Sequence, residues 1–224
     1  MLDKYPFTPV IMRHPYSSFV PYLDPDTMYF HYDVIYKNAI DNLNQLISAN
    51  PQFGSWTLKD LILKDIRQVP VVTAQRMKFY AGSVFNHGQF FDGLDPGCSS
   101  LPHGNLLKAI NANYGNYTSF QNLFVDAAKS VMGSGWVWLN SEGGGKLHIA
   151  TTGNCGSPSI DKLMPVLALD VWEHAYYLKY PVEVERFTRN WFEVVDWGKA
   201  ETRFNQMKQN FRKLKLYIVL QRRI

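Results

Sequence analysis

The sequence predicts an α+β fold, with an N-terminal helical hairpin domain over residues 1–96 and a C-terminal α/β domain over residues 97–224 built on a three-stranded antiparallel sheet. Three observations predict it. Two long stretches before residue 92 carry apolar residues at three- and four-residue spacing, the period of helices buried on one face. Three short runs between residues 136 and 169 have the alternating or continuous apolar character of strands. Between these regions Asp92 to His103 holds Gly93, Pro96, Gly97 and Pro102, a breaker-rich linker that sets the boundary.

Residues 1 to 25 contain Pro6, Pro9, Pro15, Pro21 and Pro25 among aromatics, so they read as an extended arm laid over the fold. Asp24 and Asp26 flank Pro25 and start a helix that runs to about Ser48. His31, Ile35, Ala39, Leu43 and Leu46 share its apolar stripe. Asn50 to Gly54 breaks it, and a short helix covers Thr57 to Ile66, ended by Pro70. From Val72 to about Phe91, a second long helix places Tyr80, Ser83, Val84, His87 and Phe91 on one side. Each arm of the hairpin thus carries one inward histidine.

In the second half, Leu106 to Tyr114 and Tyr117 to Met132 read as helices. Trp136 to Asn140 alternates as a strand, Ser141 to Gly145 turns, and Lys146 to Thr151 returns as its hairpin partner. After a loop over Gly153 to Pro158, Pro165 to Leu169 supplies the third strand. Asp170 falls at its end, and Trp172 onward reads as helix. Val184 to Val194 and Asp196 to Leu220 are the last helical segments.

Composition narrows the function classes. With 46% hydrophobic residues the chain has ample core material, and its 15% aromatics suit either packing or the walls of a site. A net charge of +4 favours small anions near the surface. It falls short of a nucleic-acid footprint, since the dense basic cluster (Arg212, Lys213, Lys215, Arg222, Arg223) fits a solvated helix face. Met1 to Pro9 lacks the apolar core of a secretory signal, and no run approaches the roughly 20 apolar residues of a membrane span. Cys98 and Cys155 lie far apart without metal spacing, which suits a reducing, cytoplasmic setting or a single disulfide.

Candidate chemistry gathers on histidine. His14 and His103 sit beside prolines in loops, and His148 alternates out of the apolar face of its strand. His31, His87 and His174 fall on buried faces, and Asp170 lies four residues before His174. One carboxylate and one imidazole at that spacing fit either a helix-capping aspartate beside a packed histidine or two ligands of iron, manganese or zinc. Three inward histidines with an inward aspartate favour the metal, because burying that many polar groups unpartnered is costly and one ion would satisfy all four.

The quoted residues carry a resemblance. His31 within Met28 to Asp33, Asn86-His87 in a helix ending Phe90-Phe91, Gly133 to Leu139, and Asp170-Val171-Trp172-Glu173-His174-Ala175-Tyr176-Tyr177 together resemble the iron/manganese superoxide dismutase family, in order and spacing over essentially the whole chain. The resemblance implies one iron or manganese ion per subunit, between the two domains, bound by His31, His87, Asp170, His174 and a solvent molecule. It implies superoxide as substrate, converted to dioxygen and hydrogen peroxide, and a homodimer or a tetramer in which Glu173 reaches the other subunit's His174. No nucleic acid or membrane partner is implied.

Around those ligands the chain departs from the family pattern. Ile35 stands where a histidine is usual, and Ala39 where a tyrosine lines the mouth of the substrate funnel. The glutamine expected against the bound solvent comes from either of two positions, here Ser83 and Cys155, and neither side chain reproduces an amide. Phe91 replaces a tryptophan, and Val184-Glu185 an arginine-proline pair. Trp136, Glu173 and Tyr177 keep family residues around the ligands; Tyr177 normally bonds the partner's histidine, absent here at Ile35. These departures leave a metal-binding, dismutase-like protein with little dismutation, a redox sensor or structural partner, as the alternative. A non-haem iron oxygenase using two histidines and a carboxylate is a further reading, opposed by the third histidine.

Overall fold

The computed structural model describes residues 4–98, 101–158 and 160–206. The N-terminal arm has one 3-10 turn, Tyr16–Phe19, and otherwise runs without regular structure, burying Phe7, Val10, Phe19 and Leu23. Asn44 fixes it by an exchange with the main chain of Phe7: Phe7 N donates to Oδ1 at 2.8 Å, and Nδ2 donates back to Phe7 O at 2.9 Å.

Asp24 caps the first helix through the backbone N–H of Thr27, and Pro25 fills the first position, where no N–H is needed. Helix α1 (Pro25–Tyr29) continues through a π-helical stretch, Phe30–Tyr36, into α2 (Lys37–Ser48). The expected single helix is therefore one continuous rod with a widened turn in its middle. A capping box of Thr57 and Asp60 opens α3, which is shorter than expected at Leu58–Leu63. Helix α4 (Val71–Asp92) then packs back against α2 to close the hairpin.

Helices α5 (Gly104–Tyr114) and α6 (Tyr117–Ser130) lead to the sheet. Its order is β2-β1-β3, all antiparallel, with β1 (Gly135–Ser141) central, β2 (Leu147–Gly153) outside and β3 (Met164–Asp170) on the other edge. Every residue of β1 is buried, because helices cover the sheet; β3 packs against α4 and β2 against α6. A bulge between Leu139 and Asn140 shifts the β1–β3 register and brings Trp136 opposite Asp170. Helix α7 (Val184–Trp191), a 3-10 turn at Phe192–Val194, and α8 (residues 197–206) complete the described chain; the remainder of the helix expected to reach Leu220 lies outside the described residues.

The segment after α4 is pinned to the C-terminal half. Asp95 N donates to Val194 O and Asp196 N to Gly93 O, each at 2.8 Å. One hydrophobic cluster runs from Phe7 to Phe204, so both halves share a core. Among the described residues no helix is long and apolar enough to cross a membrane.

Candidate metal centre

His31 lies on the π-helical stretch, a wide turn that in proteins is frequent at functional sites. The widening turns His31, Tyr32 and Tyr36 inward together, although His31 and Tyr36 are five residues apart. His87 comes from α4, in a stretch where Gly82, Ser83, Val84, Asn86, Gly88, Phe90 and Phe91 are also buried. Asp170 is the last residue of β3. His174 sits on a single 3-10 turn, Glu173–Ala175, rather than on the helix expected after Trp172. The backbone N–H of Trp172 donates to Asp170 Oδ1 at 2.8 Å, which bends the chain at the strand end and presents the imidazole four residues on.

These four side chains meet. Asp170 Oδ2 lies 3.0 Å from His31 Nε2, 3.2 Å from His174 Nε2 and 3.5 Å from His87 Nε2. The four potential ligand atoms all lie within 4.8 Å of one another, with His31, His87 and Asp170 fully buried. His87 Nδ1 donates to the main-chain carbonyl of Ser83 at 2.8 Å. That bond places the hydrogen on Nδ1 and leaves the Nε2 lone pair facing inward. Nε2 of His87 is buried and has no hydrogen-bond partner. An orphaned buried nitrogen aimed at a carboxylate and two imidazoles fits a cation. Three nitrogen donors and one carboxylate oxygen suit a first-row ion.

Electrostatics favour neutral His31 and His87 beside a charged Asp170. Burial lowers His31, against the opposing pull of Asp170, and lowers His87 to about 3. Burial alone would raise the Asp170 carboxyl, but its interactions with His174 and His31 outweigh it and hold the group below the usual carboxylate range.

An aromatic shell orders the rings. Trp136, fully buried, meets His87 edge-on with centroids 5.1 Å apart; Tyr36 stacks on the same ring at 5.8 Å; Phe91 lies 4.8 Å from His31. Tyr36 also accepts from Val10 N at 3.2 Å, linking the arm to the centre. Sequence reasoning passed over Tyr36, and the one signal for it was its five-residue offset from His31, readable only with the π turn known. Asn86, quoted in the sequence only as the neighbour of His87, has a part of its own. It ties α4 to the 153–158 loop, donating to Gly156 O at 3.0 Å and accepting from Ser157 Oγ at 2.7 Å.

Beside the histidines a recess of about 320 Å³ opens to the surface, with His87 and His174 on its floor. Val34, Ile35, Asn38, Ala39, Phe79, Tyr80 and Trp172 form its walls. Ser83 and Cys155 line it near His87, and Ser83 Oγ lies 3.2 Å from His87 Nδ1. Burial pushes the thiol up to about 12, with the Asp170 charge adding to the rise and Ser83 opposing it. Cys155 is therefore a neutral donor, not a thiolate. Glu173 and Tyr177 are exposed, whereas Trp136 is buried against His87. His14 and His148 pair with Asp95 and Glu142, and His103 is exposed, as their sequence positions suggested.

The family model for the C-terminal domain of iron/manganese superoxide dismutases matches residues 102–203. Over 207 residues the chain is 34% identical to the manganese superoxide dismutase of Listeria monocytogenes serovar 1/2a, covering 92% of this chain and 98% of that one. The chain belongs to the iron/manganese superoxide dismutase family. It is likewise 34% identical over 203 residues to the manganese superoxide dismutase of Yersinia enterocolitica, with 88% and 97% covered. Manganese superoxide dismutase 1 of Leptolyngbya boryana is 33% identical over 200 residues, with 88% and 80% covered. Of the departures from the family pattern read in the sequence, Ile35, Ala39, Ser83 and Cys155 line the recess beside His87 and His174, whereas Phe91 and Val184-Glu185 do not.

Proposed function

We propose that this chain is a superoxide dismutase using one iron or manganese ion per subunit, held by His31, His87, Asp170 and His174. The observation that carries the reading is the convergence of three imidazole nitrogens on one buried carboxylate oxygen, with His87 Nε2 unpartnered. Such an ion supplies one-electron chemistry, alternating between its divalent and trivalent states. Two superoxide anions and two protons become one dioxygen and one hydrogen peroxide.

The chain's own groups have distinct parts. The Ser83 carbonyl holds the His87 tautomer, and the Trp172 N–H holds Asp170 Oδ1 so that Oδ2 faces the histidines. Asp170 contributes one negative charge while His31 and His87 stay neutral, which limits the positive charge left at the centre. Trp136, Tyr36 and Phe91 exclude water on the inner side. Superoxide approaches through the recess past Ile35 and Ala39. The Ser83 hydroxyl and Cys155 thiol are the proton-bearing groups next to His87 there.

Homodimerisation belongs to the same reading. Glu173, on the short turn that carries His174, and Tyr177, beyond the end of that turn, are both exposed, which supports their contact with a second copy. The 92–103 segment would serve as the boundary between domains 1–96 and 97–224, and the cytoplasm as the setting.

The apolar recess favours one competing reading, an ion-binding protein with little dismutation, because Ile35 and Ala39 remove polar side chains from the approach. Metal analysis of the purified protein, then superoxide consumption after loading with iron and with manganese, separates the two. Catalysis with either ion supports the dismutase. A bound ion without catalysis supports the competitor, and four ligands that take up no ion defeat both.

A further inference from the structure

We propose that Tyr36 is a positioning residue for His87, and that the N-terminal arm sets Tyr36 in place through Val10. The inference rests on His87 being an ion ligand, as proposed above, and concerns what holds its ring.

The bond from His87 Nδ1 to the Ser83 carbonyl joins two residues of one helix, α4. It fixes one edge of the imidazole, and a single bond at an edge leaves a ring free to tilt. The faces are held from outside α4. His174 and Tyr36 each stack against His87 with centroids 5.8 Å apart and planes 19° from parallel. His174 belongs to the sheet half and is itself a proposed ligand. Tyr36 belongs to the π-helical stretch that also carries His31, so it ties one ligand to the stretch supplying another. Groups that orient metal ligands in this way set affinity and spectrum without touching the ion.

Tyr36 is fixed in turn at its far end. Its hydroxyl accepts from Val10 N at 3.2 Å, and Tyr32, whose ring lies 5.7 Å from that of Tyr36, donates its hydroxyl to Val10 O. One arm residue thus bonds both phenols with its two backbone groups, and Val10, Tyr32 and Tyr36 are all buried. A buried peptide needs both of its partners, so docking of the arm at Val10 and placement of the two rings are one equilibrium. Coupling between two sites is reciprocal: if the docked arm sets Tyr36 where His87 binds the ion, the ion must hold the arm by the same factor.

That reciprocity is the test. Manganese(II) affinity is measured by competition with a chelator, and hydrogen exchange around Val10 by mass spectrometry with and without the ion. Tyr36→Phe keeps the ring and removes the acceptor. It should weaken manganese(II) binding about fivefold, and the ion should slow Val10 exchange by the same factor in the parent but not in the variant. Tyr36→Leu removes the stack as well and should weaken binding about tenfold or more, with an altered absorption spectrum of the loaded protein. If Tyr36→Leu does not fold, Tyr36→Phe decides alone. A tyrosine that serves packing alone would lower the melting temperature equally with and without the ion, leaving affinity, spectrum and Val10 protection unchanged; that result overturns the proposal. A parent that takes up no ion would defeat the dismutase reading, and the positioning is then read on metal-free protein by NMR. There the His87 Nδ1 proton should exchange faster in Tyr36→Phe than in the parent, and equal rates overturn the proposal.

Discussion

Arg203 reaches Asp92 at 2.8 Å while its other contacts, the carbonyls of Gln89 and Val166 at 3.3 Å each, lie on two different elements. The guanidinium thereby clamps the C-terminal end of α4, one turn beyond His87, to the strand that ends in Asp170. Burial lowers the Arg203 pKa and the Asp92 charge works against that, so the cation persists inside. Arg203→Met should cost about 2–3 kcal/mol, a range reduced from that of a fully buried pair because Asp92 is partly solvated and Lys199 also holds it. Urea unfolding measures this, and ion affinity should fall with it. A Met variant as stable as the parent would mean that the clamp contributes nothing.

Gly82 is required by the approach of α4 to the loop carrying Cys155. A β-carbon added there would lie 2.1 Å from the Cys155 carbonyl oxygen, a backbone atom that cannot swing aside. Gly82→Ala should force the loop outward and destabilise the protein by about 1–3 kcal/mol. The same shift should separate Cys155 from Ser83 and widen the recess, which a crystal structure of the variant would record.

The parts legible in the sequence were those with a local signature. His31 and His87 stood on apolar helical stripes, and Asp170 closed an unbroken apolar run, so periodicity alone turned them inward. What escaped had no local cause. The π turn at Phe30–Tyr36 changes which residues share a face with His31, yet no breaker residue marks it. The turn at Glu173–Ala175 was read as helix because its helix-forming residues follow a strand; the Asp170–Trp172 bond and packing against α1 and the π-helical stretch override that preference. The meeting of Gly82, Ser83 and Cys155 joins positions more than 70 residues apart, and only the sheet and α4 packing bring them together.

Cys155 should resist alkylation and show itself in alkaline stability instead. Its folded pKa, near 12, exceeds the ordinary value of 9.0. Between those limits the folded protein keeps a proton that the unfolded chain has lost, so the contribution is present below pH 9 and disappears as pH rises toward 12. The slope reaches at most about 1.4 kcal/mol per pH unit. Cys98 is raised too, to about 11, so the comparison belongs in a Cys98→Ala background. There Cys155→Ala should flatten the loss of urea midpoint above pH 9, and parallel profiles with and without the thiol would contradict the assignment. In the same background the parent should react with iodoacetamide at pH 8 more slowly than its urea-unfolded form.

Removal of the ion should be read directly in thermal stability. The four proposed ligands come from the helical hairpin (His31, His87) and from the sheet half (Asp170, His174), so an ion bound by all four would stabilise only the assembled state. Ligand held at a concentration a thousand times its dissociation constant adds about 4 kcal/mol. Calorimetry after chelation should therefore show a lower melting temperature, restored by iron or manganese in proportion to occupancy. Asp170→Ala should abolish that response, since three neutral imidazoles cannot offset the charge of a trivalent ion, while Glu173→Ala should retain most of it in each subunit. A chelated protein that melts with the loaded one, at equal protein concentration and with the ion shown to be gone, would separate the folding of the two halves from metal binding altogether.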